Sequence, residues 1–401
     1  MPEPAASCSA ACDALLARQT SLFALRCAKF LPTPYQAEDN NRMTLAYFCL
    51  SSLALLPATA VSSAATADQS ALDVLLKPTQ IQGFRDWVYE QQLPTGGFRG
   101  SDSLASTDTA DLDTAHVIQS YTALIVLGIL GDDYARLDRP GLLRFVGDCQ
   151  QEDGSFAQFP KCEEPGDLRS TYSAFAVASM LDDWTFIDVD RGLAFLDSCR
   201  RYEGGFGQRP GSEANAGPTY CAIASYSLAS RLSTLARPHD LLRWLVSRQV
   251  RPPPPPPQSE ASSAAGDDDE VPIELGERAG FQGRANKPTD ACYSFWSIAA
   301  IHLLLPALDP SLTLDQVVDP ALDRAWLLSC QHPLYGGIAR EPGALPDVYH
   351  TYLSLAALSL GDAGDSASQQ LGLHALDAAW NVSRAVKARM RERLCAGAGG
   401  M

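Results

Sequence analysis

Five glycine-centred pieces recur along the chain: VYEQQLPTGGFRG, GDCQQEDGSFAQF, DSCRRYEGGFGQRP, GERAGFQGR and LSCQHPLYGGIAR. Their key apolar residues, Phe98, Phe156, Phe206, Phe281 and Ile338, are separated by 58, 50, 75 and 57 residues. The long interval holds RPPPPPPQSEASSAAGDDDE, residues 251–270, and without about 25 residues there the period returns to roughly 50. A fixed period of that length marks stacked units, each unable to bury its apolar face alone.

Each glycine element is followed by a nearly all-apolar segment opened by a tyrosine: YTALIVLGIL, YSAFAVASML, YCAIASYSLA, YSFWSIAAIHLL and YLSLAALSL. More amphipathic segments precede the glycines, such as GLLRFVGDCQQ and LDRAWLLSCQ. A helix apolar all round is buried on all sides, and one with a single apolar stripe lies outside. The repeat therefore reads as outer helix, glycine turn, inner helix, with glycine permitting a positive φ at the reversal. β-branched runs of period 2 are scarce, so the fold class is all-α. Aromatic inner faces favour a closed ring over an open solenoid, which would expose them. The expectation is an α/α barrel, a six-hairpin toroid, spanning residues 21–394. Residues 251–277 form a Pro-rich, acidic disordered insertion, and 1–20 and 395–401 are flexible tails.

The formal charge of −16 argues against nucleic acid as the main partner. Eleven cysteines without framework spacing read as reduced thiols of a cytoplasmic protein. The uncharged run from Met43 is broken by Pro57, too short for a membrane span of roughly 20 residues.

Polar residues gather where the inner helices begin. His116 lies five residues before Tyr121, Arg169 three before Tyr172 and Asn215 five before Tyr220. Asp290 and Cys292 lie three and one before Tyr293, and His350 two before Tyr352. Helix N-termini favour anions, and Arg169, Arg284 and Lys287 add charge to that rim. Carboxylate, thiolate and imidazole are zinc ligands, and three of them leave an open fourth position. A capping Asp, a buried Cys and a satisfied His explain each residue singly; three arriving together at equivalent repeat positions favour the metal.

The motifs GFQGRANKPTDACYSFW and DVYHTYLSLAALSL resemble the β subunits of protein prenyltransferases, from about Leu22 to Leu394. The resemblance implies one Zn²⁺ on Asp290, Cys292 and His350, coordinating the thiol of a protein's C-terminal Cys-a-a-X sequence. It implies a diphosphate pocket of Arg284, Lys287 and Tyr293, with Arg169, Asn215 and Arg340 beside it. It places Thr44, Phe48, His116, Trp296 and Tyr349 in the isoprenoid and peptide pocket, with Phe295 a further candidate for the aromatic interior. Lys287 and Tyr293 are expected to act in catalysis. An obligate α subunit, shared with farnesyltransferase, completes the expected heterodimer, with geranylgeranyl diphosphate and Cys-a-a-X proteins such as Rho-family small GTPases as substrates.

Within the family, RCAKFLPTPYQAEDNNRMTLAYFCLSSLALL and AWNVSRAVKARM look like the type I geranylgeranyl branch. Thr44 stands where farnesyltransferase has a bulky Trp, and Arg340 where it has a magnesium-binding Asp, so catalysis without magnesium is expected. Tyr349 is the farnesyltransferase-like choice, and Asn215 replaces a usual diphosphate-binding His. EGGFGQRPGSEANAGPTYC has a Rab-transferase flavour. A farnesyltransferase β subunit and a Rab geranylgeranyltransferase are the alternatives within the family. A non-catalytic barrel scaffold and a terpenoid cyclase are the alternatives outside it; the cyclase lacks its DxDD or DDxxD cluster here.

Overall fold

The computed structural model describes residues 14–105, 113–251, 279–361 and 371–396. Six outer–inner helix pairs follow one another along the chain. They are α1 (Ala17–Lys29) with α2 (Arg42–Leu55) and, after a short α3 (Ala71–Leu75), α4 (Pro78–Glu90) with α5 (Val117–Ile129). Then come α6 (Arg139–Asp148) with α7 (Leu168–Leu181) and α8 (Val189–Ser198) with α9 (Ala216–Leu228). The last two pairs are α10 (Pro238–Val246) with α11 (Ala291–Leu308) and α12 (Pro320–Ser329) with α13 (Val348–Gly361). A short β-hairpin, Leu376–Asp377 with Val382–Ser383, leads into α14 (Arg384–Ala396), which packs on α5 and α7.

The ring is closed. Each inner helix packs on the next, α2 on α5, α5 on α7, α7 on α9, α9 on α11 and α11 on α13, and α13 returns to α2. The inner helices are buried almost throughout; in α5 every residue but Ile118 is buried. Helix α11 is long and apolar enough to cross a membrane, yet most of it is buried within the protein. The run from Met43 forms α2, another core helix.

The repeat is visible in the backbone. Two or three residues past outer helices α4, α6, α8, α10 and α12, a residue bridges the apolar residue of the glycine turn: Gln92 with Phe98, Gln150 with Phe156, Arg200 with Phe206, Gln249 with Phe281 and Gln331 with Ile338. Gly96 has φ 96°, and a Cβ there would lie 1.9 Å from the Gly141 carbonyl carbon, so both the turn and the close helix approach require glycine. Two residues past each turn's apolar residue, a carbonyl accepts the first or second N–H of a neighbouring inner helix. Gly100 O takes Met43 N–H, Gln158 O takes Val117, Gln208 O takes Leu168, Gly283 O takes Ala216 and Arg340 O takes Ala291. Val348 N–H completes the set on the Tyr35 hydroxyl, at 2.9 Å. These bonds staple hairpin to hairpin around one rim.

The deeper part of the ring is filled by residues 376–383. Tyr220, Tyr172 and Tyr121 donate hydroxyl bonds to the carbonyls of Ala378, Ala379 and Trp380 at 2.8, 3.0 and 3.0 Å. Tyr47 and Tyr352 both donate to Asn381 O at 2.7 Å. Tyr121, Tyr172, Tyr220 and Tyr352 each stand five residues after their helix's cap. In α11 that register belongs to Phe295, not Tyr293. Counting from the opening tyrosine therefore misplaces Tyr293, which stands only three residues into its helix. Phe295 is fully buried against Tyr220, ring centroids 5.2 Å apart, in the core rather than on a cavity wall.

Two expected boundaries shift or lie outside view. Helix α1 begins at Ala17 rather than 21, because Thr20 and Ser21 are buried beneath the last hairpin. Apart from Arg251, the Pro-rich part of the expected 251–277 insertion lies outside the described residues, as do residues 1–13 and 397–401.

Candidate functional site

Inner helices α5, α7, α9, α11 and α13 start alike: a side chain just ahead of the helix accepts one of its free N–H groups. His116 Nδ1 takes Ile118 N–H at 3.1 Å and Asp167 Oδ1 takes Ser170 N–H at 2.9 Å. Asn215 Oδ1 takes Gly217 N–H at 3.0 Å, Asp290 Oδ1 takes Cys292 N–H at 2.9 Å and Asp347 Oδ1 takes His350 N–H at 2.8 Å. The stapled rim gathers these caps at one end of the barrel, so positions zero, two and three of each inner helix become neighbours.

Asp290, Cys292 and His350 meet there, with one ligand atom from each within 4.8 Å of the others. His350 Nε2 lies 3.1 Å from Asp290 Oδ1, while its Nδ1 lies 2.5 Å from Asp347 Oδ2. Burial works against charge on this ring, but the two carboxylates outweigh it and raise its pKa to about 9. Burial and the Asp290 charge hold the Cys292 thiol well above its usual range. Asp290 is partly desolvated, yet its bonds to His350 and Cys292 keep it below the usual carboxylate range. A carboxylate, a thiol and an imidazole converging on one point fit a zinc ion, and Asp347 is the carboxylate that orients such a histidine from behind.

Beside the triad lies a cavity of about 380 Å³, with Arg169, Asn215, Arg284, Tyr293 and Trp296 in its wall. Arg284 pairs with Glu213 at 2.7 Å. Burial raises the Tyr293 pKa, while a bond from Asn215 and the Arg284 charge pull it back. Because Asn215 spends its oxygen on the cap, its NH₂ is left to donate into this cavity. Gly283 makes room for the phenol: a Cβ there would lie 2.0 Å from Tyr293 Cζ.

A second cavity, about 680 Å³, adjoins it and shares Arg169 and Tyr349. Thr44, Phe48 and His116 line this cavity. Tyr349 accepts Trp296 Nε1–H at 3.2 Å and stacks edge-on to Phe48 and His350, with centroids 5.4 and 4.9 Å apart. His116 stays neutral: burial lowers its pKa, and its Nδ1 is occupied by the cap. Arg169 pairs with the buried Asp167 at 3.3 Å.

Two expected residues stand apart. Lys287 is exposed and lines neither cavity. Arg340 offers its carbonyl to α11, but its exposed guanidinium pairs with Glu341 at 2.6 Å. Sequence reasoning missed Asp167, Glu213 and Asp347. Asp167 and Asp347 carried a signal, each standing three residues before the N–H it caps, but that spacing alone says only that a helix begins.

Comparison with known proteins matches residues 15–382 to the prenyltransferase alpha-alpha toroid domain. The chain belongs to this family. Among relatives of this toroid, the geranylgeranyl transferase type-1 subunit beta of Dictyostelium discoideum is 33% identical over 85% of this chain and 89% of its own. The corresponding subunit of Arabidopsis thaliana is 34% identical over 83% and 81%. The solved structure of Candida albicans protein geranylgeranyltransferase-I complexed with GGPP superimposes with a TM-score of 0.76 at 25% identity, covering 95% of this chain and 99% of that one. The closed ring of six hairpins is thus the toroid of a protein prenyltransferase subunit.

Proposed function

We propose that the chain is the catalytic β subunit of a zinc-dependent type I protein geranylgeranyltransferase, moving a geranylgeranyl group from its diphosphate to the cysteine of a C-terminal Cys-a-a-X sequence. The observation that carries the reading is the Asp290–Cys292–His350 cluster, whose chain neighbours Tyr293 and Tyr349 line two adjoining cavities, the smaller with Arg169 and Arg284 in its wall and the larger with room for a peptide end. Asp290, Cys292 and His350 would hold the zinc, with Asp347 fixing the imidazole. Zinc there lowers the pKa of the acceptor thiol, so that thiolate is present at neutral pH.

In the transfer the thiolate sulfur bonds to C1 of the isoprenoid, the C1–O bond breaks and diphosphate departs. Arg284, the Tyr293 hydroxyl and the Asn215 amide donate toward the oxygens on which charge grows. Lys287 and Arg340, on the exposed rim, supply longer-range charge, and this supports transfer without magnesium. Arg169, in the wall of both cavities, would serve the diphosphate, and His116 the isoprenoid and peptide pocket. Identity of 33–34% with type-1 subunits over most of both chains supports the type I branch over the farnesyl and Rab branches, as does the small Thr44 side chain on the cavity wall. That the relatives are named as β subunits supports a heterodimer with an α subunit.

Co-expression with an α subunit tests the reading. Farnesyl and geranylgeranyl diphosphate are each offered with peptides ending in Leu or in Ser/Met, without magnesium. Geranylgeranyl transfer to the Leu peptide is the expected result; preferred farnesyl transfer to the Ser/Met peptide overturns the branch assignment.

A further inference from the structure

The smaller cavity is charge-balanced before any anion enters it. Two cations stand in its wall, Arg169 and Arg284, together with one acid, Glu213. Arg169 pairs at 3.3 Å with Asp167, a buried carboxylate behind the wall. Arg284 Nη1 donates to Glu213 Oε2 at 2.7 Å. Each guanidinium that a diphosphate would need is thus already held by a carboxylate.

The two acids differ in their freedom. Asp167 spends its other oxygen on the Ser170 N–H at the start of α7, so it is fixed beside Arg169. The Glu213 side chain is 54% exposed and makes no second bond among the described residues. Its backbone is held, because two residues on Asn215 N–H donates to Phe206 O at 3.0 Å and Asn215 Oδ1 caps α9. A fixed base with a free carboxylate can leave the guanidinium and return to it.

An exposed ion pair is weakly held, whereas arginine bound to phosphoryl oxygens through both arms of its fork is held strongly. A carboxylate left beside those oxygens would oppose them, since like charges side by side are costly. Entry of a diphosphate and retention of the Glu213–Arg284 bond therefore exclude each other.

We propose that Glu213 is a positioning residue that occupies Arg284 while the cavity is empty, yields it to the entering diphosphate and takes it back as inorganic diphosphate leaves. The inference rests on the transfer reading, which puts the diphosphate on Arg284. Glu213 weakens the hold on substrate and product alike, so the released diphosphate does not keep the site.

The test measures binding directly. The heterodimer is titrated with geranylgeranyl diphosphate and with inorganic diphosphate, as wild type, Glu213→Gln and Glu341→Gln. Glu341 pairs with the exposed Arg340 and lines neither cavity, so its variant removes the same charge without touching Arg284. Glu213→Gln should tighten both ligands by about threefold or more, with Glu341→Gln showing less. The KM for geranylgeranyl diphosphate should fall with it, while the single-turnover rate of the bound complex stays at the wild-type value. Tightening of less than about threefold overturns the inference, because Arg284 is then open without displacement. Weaker binding also overturns it, since Glu213 would then be orienting Arg284 for the ligand. Equal tightening in both variants overturns it as well, leaving net charge alone as the cause. Wild type that binds geranylgeranyl diphosphate with no gain in Glu213→Gln sinks this inference and leaves the transferase reading standing. Wild type that binds no geranylgeranyl diphosphate sinks both.

Discussion

Asp347 Oδ2 lies 2.5 Å from His350 Nδ1, on the opposite side of the imidazole from Asp290. The same carboxylate caps the helix that carries the histidine, so one residue sets both the backbone start and the ring orientation. Removing it loosens the ring without removing a ligand. Asp347→Ala should weaken zinc affinity about 10- to 100-fold, measured by competition with a chromophoric chelator. An affinity equal to wild type would mean that the ring needs no such support.

Acid should compete with metal at this centre. In the metal-free protein the paired carboxylates raise His350 to about 9, so the ring must lose a proton before Nε2 can bind a cation. Zinc affinity should therefore rise from pH 6.5 to pH 8 by about an order of magnitude or more, with proton release seen in calorimetry in different buffers. The sign reverses for stability without metal. A pKa raised on folding stabilises below the unfolded value of about 6.5, and that contribution fades as pH climbs through 9.

A buried acid lies behind the centre. Ser294, two residues after Cys292, donates to Asp323 Oδ1 at 2.6 Å, and burial pushes the Asp323 carboxyl up to about 7. Here the native state holds a proton the unfolded chain has lost, so stability should fall between pH 4 and 7. Asp323→Asn keeps an acceptor for Ser294 and removes the penalty. It should be more stable than wild type at pH 8 by about 2–4 kcal/mol and gain little at pH 4, compared by denaturant unfolding.

The tyrosine hydroxyls anchor the segment that fills the ring. Tyr220→Phe leaves the Ala378 carbonyl without its 2.8 Å donor in a dry interior, at a cost of about 1–3 kcal/mol. Equilibrium unfolding measures the loss; a neutral substitution would show that water reaches that carbonyl.

The architecture was readable because its signals are local. Glycine turns before Phe98, Phe156 and Phe206 and apolar segments after them recur at one period, and a period needs no partner to be seen. The clustering of Asp290, Cys292 and His350 was readable for the same reason, since they occupy starts of neighbouring helices. What failed to show were roles set across the ring. Tyr293 looks like the other opening tyrosines, but the hydroxyl ring is defined by carbonyls 378–381, which pair with α2, α5, α7, α9 and α13 and leave Phe295 in the α11 place. Asp347 reads as a cap and is one; its second oxygen acquires a function only once His350 turns toward Asp290. Lys287 and Arg340 carry charge that sequence assigns to the diphosphate, while Lys287 is exposed and lines neither cavity and the exposed Arg340 pairs with Glu341.

The central claim is that Asp290, Cys292 and His350 together hold the metal on which transfer depends. The most direct measurement is the zinc content of the purified heterodimer, for wild type and for Cys292→Ser and His350→Ala with helical content checked by circular dichroism. One zinc per β chain in wild type, and little or none in the two folded variants, is the result expected. An active wild-type enzyme without zinc, or folded variants that keep a full complement, would contradict the account.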